Sequence, residues 1–169
     1  MKVFIIVIFN LCIFQTHLYS QGQAIQPSDL KILEGNWVGT LTYLDYTSGK
    51  PYTMPANTNF EQSKNNPNIY FRSVGYSTEP HANQKDSMII SPNGQMLDDF
   101  TIVSFKKTSN DTVEIISEKD GADGNDNKPA TIRRTFSITA TTFVIKKEVL
   151  FKGSSTWLLR HTYSFTKSK

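Results

Sequence analysis

Three side chains that are or can become cationic recur near the C-terminal end of the chain: Arg134, Lys147 and His161. The turns between them suggest how they align. If residues 139–142 form a turn, Ile138 faces Phe143, Arg134 faces Lys147 and Arg133 faces Glu148. If the next loop sets Phe151 opposite Trp157, then Lys147 faces His161 and Glu148 faces Arg160. One face then holds Ile132, Phe136, Ile145, Val149, Trp157, Leu159, Tyr163 and Phe165, and is expected to be interior. The opposite face carries Arg133–Glu148–Arg160, an alternating ladder worth roughly 0.2–1 kcal/mol per pair. The interior row has no such alternation. Like charges facing each other are unfavourable, and a buried unpaired charge is costlier still. One remedy is a ligand anion, such as a fatty-acid carboxylate, held by Arg134 and Lys147. His161 and Tyr163 would add hydrogen bonds, and Tyr43 lines the same lumen. Two other remedies are open: the cations reach water at a barrel rim, or they pair with inward acids such as Glu61 or Asp98.

These residues need strands to hold them. From Gly35 onward the polarity alternates with a period of two: Trp37, Gly39, Leu41 and Tyr43 on one face, Val38, Thr40, Thr42 and Leu44 on the other. Further strands are expected over 52–62, 69–76, 87–91, 96–107, 112–119, 131–139, 143–151 and 156–166. Pro92-Asn93-Gly94-Gln95 is the strongest hairpin signal, because Asn-Gly accepts the positive φ of a tight turn. Short connections and the lack of a long helical pattern predict an all-β domain, a single antiparallel up-and-down β-barrel of about 8–10 strands. Ser28 or Asp29 caps a short N-terminal helical turn through Leu30, Ile32 and Leu33, which plugs one end.

Residues 1–20 read as a cleaved signal peptide: Lys2, then an apolar run, then Ser20. A membrane anchor needs about 20 apolar residues, and Asn10, Gln15 and Thr16 interrupt the run. Residues 21–29 form a polar leader and 30–169 the barrel, so the expected location is secreted or periplasmic, with no integral span in the mature chain. The formal net charge of +3 includes Lys2, too mild a balance for nucleic acid. Cys12, the only cysteine, goes with the signal. The mature chain then lacks a disulfide, a thiolate metal site and a cysteine nucleophile.

Gly35-x-Trp37 at the start of the first strand, with Arg160 in the last, resembles the lipocalin and calycin superfamily. The resemblance implies a small apolar or amphiphilic ligand in the lumen, and a barrel floor that includes Gly35, Trp37 and Arg160, with Arg160 near the tryptophan. Gly39 joins that floor by letting neighbouring groups approach closely. Inward basic residues with His161-x-Tyr163 look similar to intracellular lipid-binding barrels, which hold a carboxylate this way. A lumen histidine is also similar to nitrobindin-like barrels, so haem on His161 is the alternative to a cofactor-free protein. The competing class is a structural or interaction protein whose lumen is filled by Trp37, Tyr43, Trp157 and Tyr163.

Signs of catalysis are thin. Neither Gly-x-Ser-x-Gly, His-Glu-x-x-His nor a phosphate-binding glycine loop occurs, and no metal site is expected. In the loop 120–127 the acids Asp120, Asp123 and Asp126 fall every third residue, whereas a calcium loop of the EF-hand type wants alternate positions. A solvated hairpin loop fits better. Asn110-Asp111-Thr112 matches a glycosylation acceptor, and Asp86-Ser87-Met88 and Asp111-Thr112-Val113 look similar to bacterial O-glycosylation acceptors.

Overall fold

The computed structural model describes residues 24–45, 48–108 and 112–168. The expected signal peptide, residues 21–23 of the leader, and Asn110 and Asp111 of the acceptor patterns lie outside the described residues. A helical turn, α1 (Pro27–Leu30), and a 3-10 turn (Lys31–Leu33) lead into ten strands. These are β1 (Gly35–Leu44), β2 (Pro51–Gln62), β3 (Ile69–Gly75), β4 (Gln84–Ile89) and β5 (Met96–Leu97), then β6 (Phe100–Lys107), β7 (Val113–Asp123), β8 (Lys128–Ile138), β9 (Thr142–Phe151) and β10 (Leu158–Lys167). The sheet order is β4-β3-β2-β1-β10-β9-β8-β7-β6-β5, and every pairing is antiparallel. This is the expected up-and-down barrel, nearly closed.

Closure uses two unequal seams. β1 and β10 form a full ladder from Trp37↔Lys167 to Tyr43↔His161. Between β4 and β5 there is one bridge, Ile90↔Leu97. Beside it Ser91 donates to the Met96 carbonyl at 3.0 Å and Asp98 to the Ile89 carbonyl at 2.7 Å. Asp98 has φ 56°, and its Oδ1 accepts the Ile89 N–H at 2.9 Å. A left-handed residue cannot continue a strand, which is why the expected strand 96–107 breaks into two.

The floor is built around Trp37. Its indole is fully buried, donates through Nε1 to the Leu33 carbonyl at 2.7 Å, and meets the Phe143 ring edge-on at 5.8 Å. Phe60, Tyr70, Leu33 and Ile138 pack into the same core, each large apolar side chain stabilising by roughly 1.5–3 kcal/mol. Arg160 is not part of this floor. Lys167 stands opposite Trp37 in the register, its Nζ 4.8 Å from the ring centre and donating to the Ile32 carbonyl at 2.8 Å. The reason is reach: Arg160 lies beyond His161 on β10, at the other end of the strand.

The leader folds with the barrel earlier than the boundary at residue 30. Ile25 is buried and its N–H donates to the Gly94 carbonyl at 3.0 Å. Gly94, in the expected turn, has φ 67°, and a Cβ there would lie 2.3 Å from the Ile25 carbonyl oxygen. The Tyr70 hydroxyl donates to the Pro27 carbonyl at 2.7 Å, and Lys107 pairs with Asp29 at 2.9 Å. The cap is at Gln26, whose N–H is accepted by Asp29 at 2.8 Å; Ser28 has no such part.

Gly39 is set by close approach. A Cβ on it would stand 2.0 Å from the Ser164 carbonyl oxygen, a contact that only a backbone shift relieves. Gly39→Ala is expected to lower unfolding stability by about 3 kcal/mol or more, measured by urea denaturation, whereas Gly49→Ala, with open space around it but φ 66°, costs only the roughly 1–2 kcal/mol of a left-handed backbone.

Candidate functional site

Arg134 faces Lys147 and Lys147 faces His161, as the turns imply. A bulge then intervenes in β10: Glu148 faces Leu159, and Arg160 is the extra residue. An extra residue reverses the facing of everything beyond it. Trp157 and Leu159, expected inside, are therefore outside. The Arg133 guanidinium lies 3.8 Å over the Trp157 ring and Leu159 is 48 % exposed. Arg133 faces Glu148 as expected, though its guanidinium bonds Glu118 on the other side at 2.7 Å; the Glu148–Arg160 half of the expected ladder is lost to the bulge. Arg160 itself turns inward and donates through Nε to Asp123 at 2.6 Å.

The lumen encloses a cavity of about 330 Å³. Phe60, Val74, Met88, Phe136, Phe143 and Phe165 provide its apolar lining, and Arg72, Asp98, Lys119, Arg134, Lys147 and His161 its polar wall. Each of the four wall cations Arg72, Lys119, Arg134 and Lys147 has a carboxylate. Arg134 binds Asp98 at 3.1 Å with its guanidinium 3.9 Å over the Phe100 ring. Arg72 binds Asp86 through Nε at 2.8 Å and again through Nη2. Lys119 reaches Asp99 at 2.5 Å. Lys147 donates to Asp123 at 2.7 Å. Pairing with Asp98, one of the two inward acids considered, is what Arg134 finds; Glu61 takes no part.

Asp123 sits where the sequence suggested a solvated loop. Residues 120–123 continue β7 and 128–130 begin β8, leaving only Gly124–Asn127 as the turn. Burial alone would raise the Asp123 carboxyl, but hydrogen bonds and charge from Lys147 and Arg160 outweigh it and hold it below the usual carboxylate range. The same contest at Arg72 ends with its acidity weakened: burial lowers its pKa, and Asp86 more than restores it.

His161 and Tyr163 both line the cavity, 5.4 Å apart and edge to face. The Tyr163 and Tyr76 hydroxyls are 2.5 Å apart, and burial, then this bond, push the Tyr163 phenol upward. This bond ties Tyr76, just past the end of β3, to β10. Tyr43 faces His161 in the register, yet it does not line the cavity; its ring meets Tyr52 at 5.5 Å. The imidazole of His161 has no hydrogen bond among the described residues. Its pKa falls to about 4, first through burial and then through the charges of Lys147 and Arg134.

Several wall residues were legible but unread. Arg72 shares a strand face with buried Tyr70 and Val74, Asp86 with buried Met88, and Lys119 with Val113, Ile115 and Ser117. Ser117, opposite Arg134, is fully buried and its hydroxyl has no partner. No group of three or more His, Cys, Asp or Glu side chains suited to a metal occurs among the described residues. No helix among them is long and apolar enough to cross a membrane.

No protein-family model and no curated protein matches the chain. Among solved structures, it is similar to the crystal structure of Rv2717c from M. tuberculosis at 9 % identity. That match covers 87 % of this chain and 100 % of the other, with a TM-score of 0.58. It is also similar to a protein of unknown function from the DUF3598 family of Nostoc punctiforme PCC 73102. There the identity is 11 %, the TM-score 0.40, and the coverage 86 % of this chain and 50 % of the other. The first likeness shows a shared β-barrel fold.

The depressed His161 pKa has a stability consequence. The unfolded chain takes up a proton near pH 6.5 and the folded one only near pH 4, so folding loses stability as pH falls through that window. Histidine NMR titration should find one imidazole neutral down to about pH 4. His161→Ala should flatten the pH dependence of stability between those values.

Proposed function

We propose that the barrel is a binding protein for a small amphiphilic molecule carried in the lumen. The observation that supports this is the two-sided cavity: an apolar lining around Phe60, Phe143 and Phe165 beside a wall of Arg134, Lys147, His161 and Tyr163. A cavity of about 330 Å³ falls at the lower end of the roughly 300–1,000 Å³ typical of ligand pockets. That suits a compact ligand, and argues against a lumen wholly filled by side chains. The apolar part would displace water from the aromatic lining, and the polar head would meet hydrogen-bonding groups already held by their neighbours, which lowers the ordering cost of binding. In this reading the protein is a lipocalin-like carrier, exported by its N-terminal segment, with no catalytic step of its own.

Haem is the second reading, favoured by one feature: the unpartnered imidazole of His161 is neutral at physiological pH, the form that ligates a metal. The volume favours the smaller guest, because a tetrapyrrole would need the wall to move. Native mass spectrometry of the purified protein separates the readings, since a lipid-like adduct, haem or no adduct are distinct masses. A Soret band lost in His161→Ala would establish the haem reading in place of the first. For the amphiphile reading, Arg134→Met with Lys147→Met should weaken displacement of a fluorescent fatty-acid probe by about tenfold or more, the scale of a lost charge-assisted hydrogen bond. Unchanged affinity would remove that wall as the head-group site.

A further inference from the structure

The β7–β8 hairpin does not simply extend the barrel wall. Asp123 pairs with Lys128, whereas Lys147 pairs with Arg134, six residues along β8. In a straight ladder that offset is about 20 Å at 3.3 Å per residue. Extended lysine and aspartate side chains together do not cover it. Yet Lys147 Nζ is 2.7 Å from Asp123 Oδ1, and Arg160, on β10 beyond both β8 and β9, is 2.6 Å from Asp123 Oδ2. The hairpin must therefore curl inward, laying Asp123 across the lumen at the end opposite Trp37. Its tip is fastened there by one carboxylate on two cations.

We propose that Asp123 determines which ligands the lumen accepts, its carboxylate standing on Lys147 where the anionic head of a ligand would stand. A ligand with a carboxylate or similarly compact anion takes over Lys147 and leaves the hairpin tip held by Arg160 alone, loosening it, and a neutral amphiphile does not. This rests on the lumen-binding reading above.

The wall cations differ in their freedom to change partner. Arg134 is fixed by stacking on Phe100 and by Asp98, whose other oxygen and backbone close the β4–β5 seam. Arg72 is held through two nitrogens by Asp86. Lys147 makes a single-point contact from a flexible stem and lines the cavity on its other side. When it turns to a ligand, Asp123 keeps its bond to Arg160, so no buried carboxylate is stranded, which is the costly outcome of breaking a buried pair. A neutral head offers Lys147 no charge in exchange. Discrimination then comes from the pair the wrong ligand cannot replace.

The test is calorimetric titration of the full-length mature protein with octanoate and with 1-octanol, each against wild type and Asp123→Asn. Asp123→Asn should bind octanoate about tenfold tighter, one competing charge-assisted hydrogen bond having been removed, with octanol affinity unchanged. An unchanged octanoate-to-octanol ratio, or weaker octanoate binding, overturns the proposal. Hydrogen exchange on wild type provides a readout independent of that variant's folding: octanoate should raise amide exchange across residues 119–132, and octanol should not. A general charge effect of the substitution would not produce that difference. If octanol and octanoate both bind but hairpin exchange is the same with either, the exchange of partners is wrong and the lumen reading stands. If neither ligand binds wild type or variant, both fall.

Discussion

One fully buried indole ties the two ends of the described chain together. Trp37 is bonded to the 3-10 turn that precedes β1 and covered by Lys167 from the end of β10. It lies at one end of the β1–β10 ladder that joins the first strand to the last. Gly39, two residues on, lets the β10 backbone pass at a distance no side chain would permit. The lumen depends on these contacts, because the ladder they anchor carries His161 and Tyr163 to their places.

Much of this architecture was readable from alternation and turns. The β8–β9 register followed from the tight turn at residues 139–142, because a two-fold period leaves no freedom once one pair is fixed. The same inference failed at Leu159 for a physical reason. A bulge needs only one residue to leave the ladder, and Leu158-Leu159-Arg160-His161 has no glycine or proline to mark it. The partner of Lys147 was hidden differently. Asp123 is 24 residues away in sequence, and they meet through curvature of the hairpin, which a flat pairing diagram omits. Its flanking glycine and asparagine made it resemble a solvated loop. The break at Asp98 was equally silent, since aspartate in a left-handed conformation leaves the surrounding alternation looking intact.

The polar wall reconciles two demands. Several charges border an apolar lumen, and each described pair limits the cost of placing them there. Pairing also limits how much unsatisfied charge the wall offers a guest. The cationic row expected from Arg134, Lys147 and His161 is therefore not a row of open charges: one is stacked and paired, one is paired across the lumen, and one is neutral. Asymmetry among them, rather than their sum, gives the wall its chemistry.

The unequal seams bear on capacity. A hoop closed by full ladders has a circumference set by its strand count and stagger. Here the circuit between β4 and β5 rests on one bridge and the bonds beside it, and Gln84, Met88 and Asp98, from that side, border the cavity. Of the two seams it is therefore the β4–β5 side, where few ladder bonds would have to stretch, that offers the least resistance to a change of circumference, while the indole-anchored side is held by a full ladder.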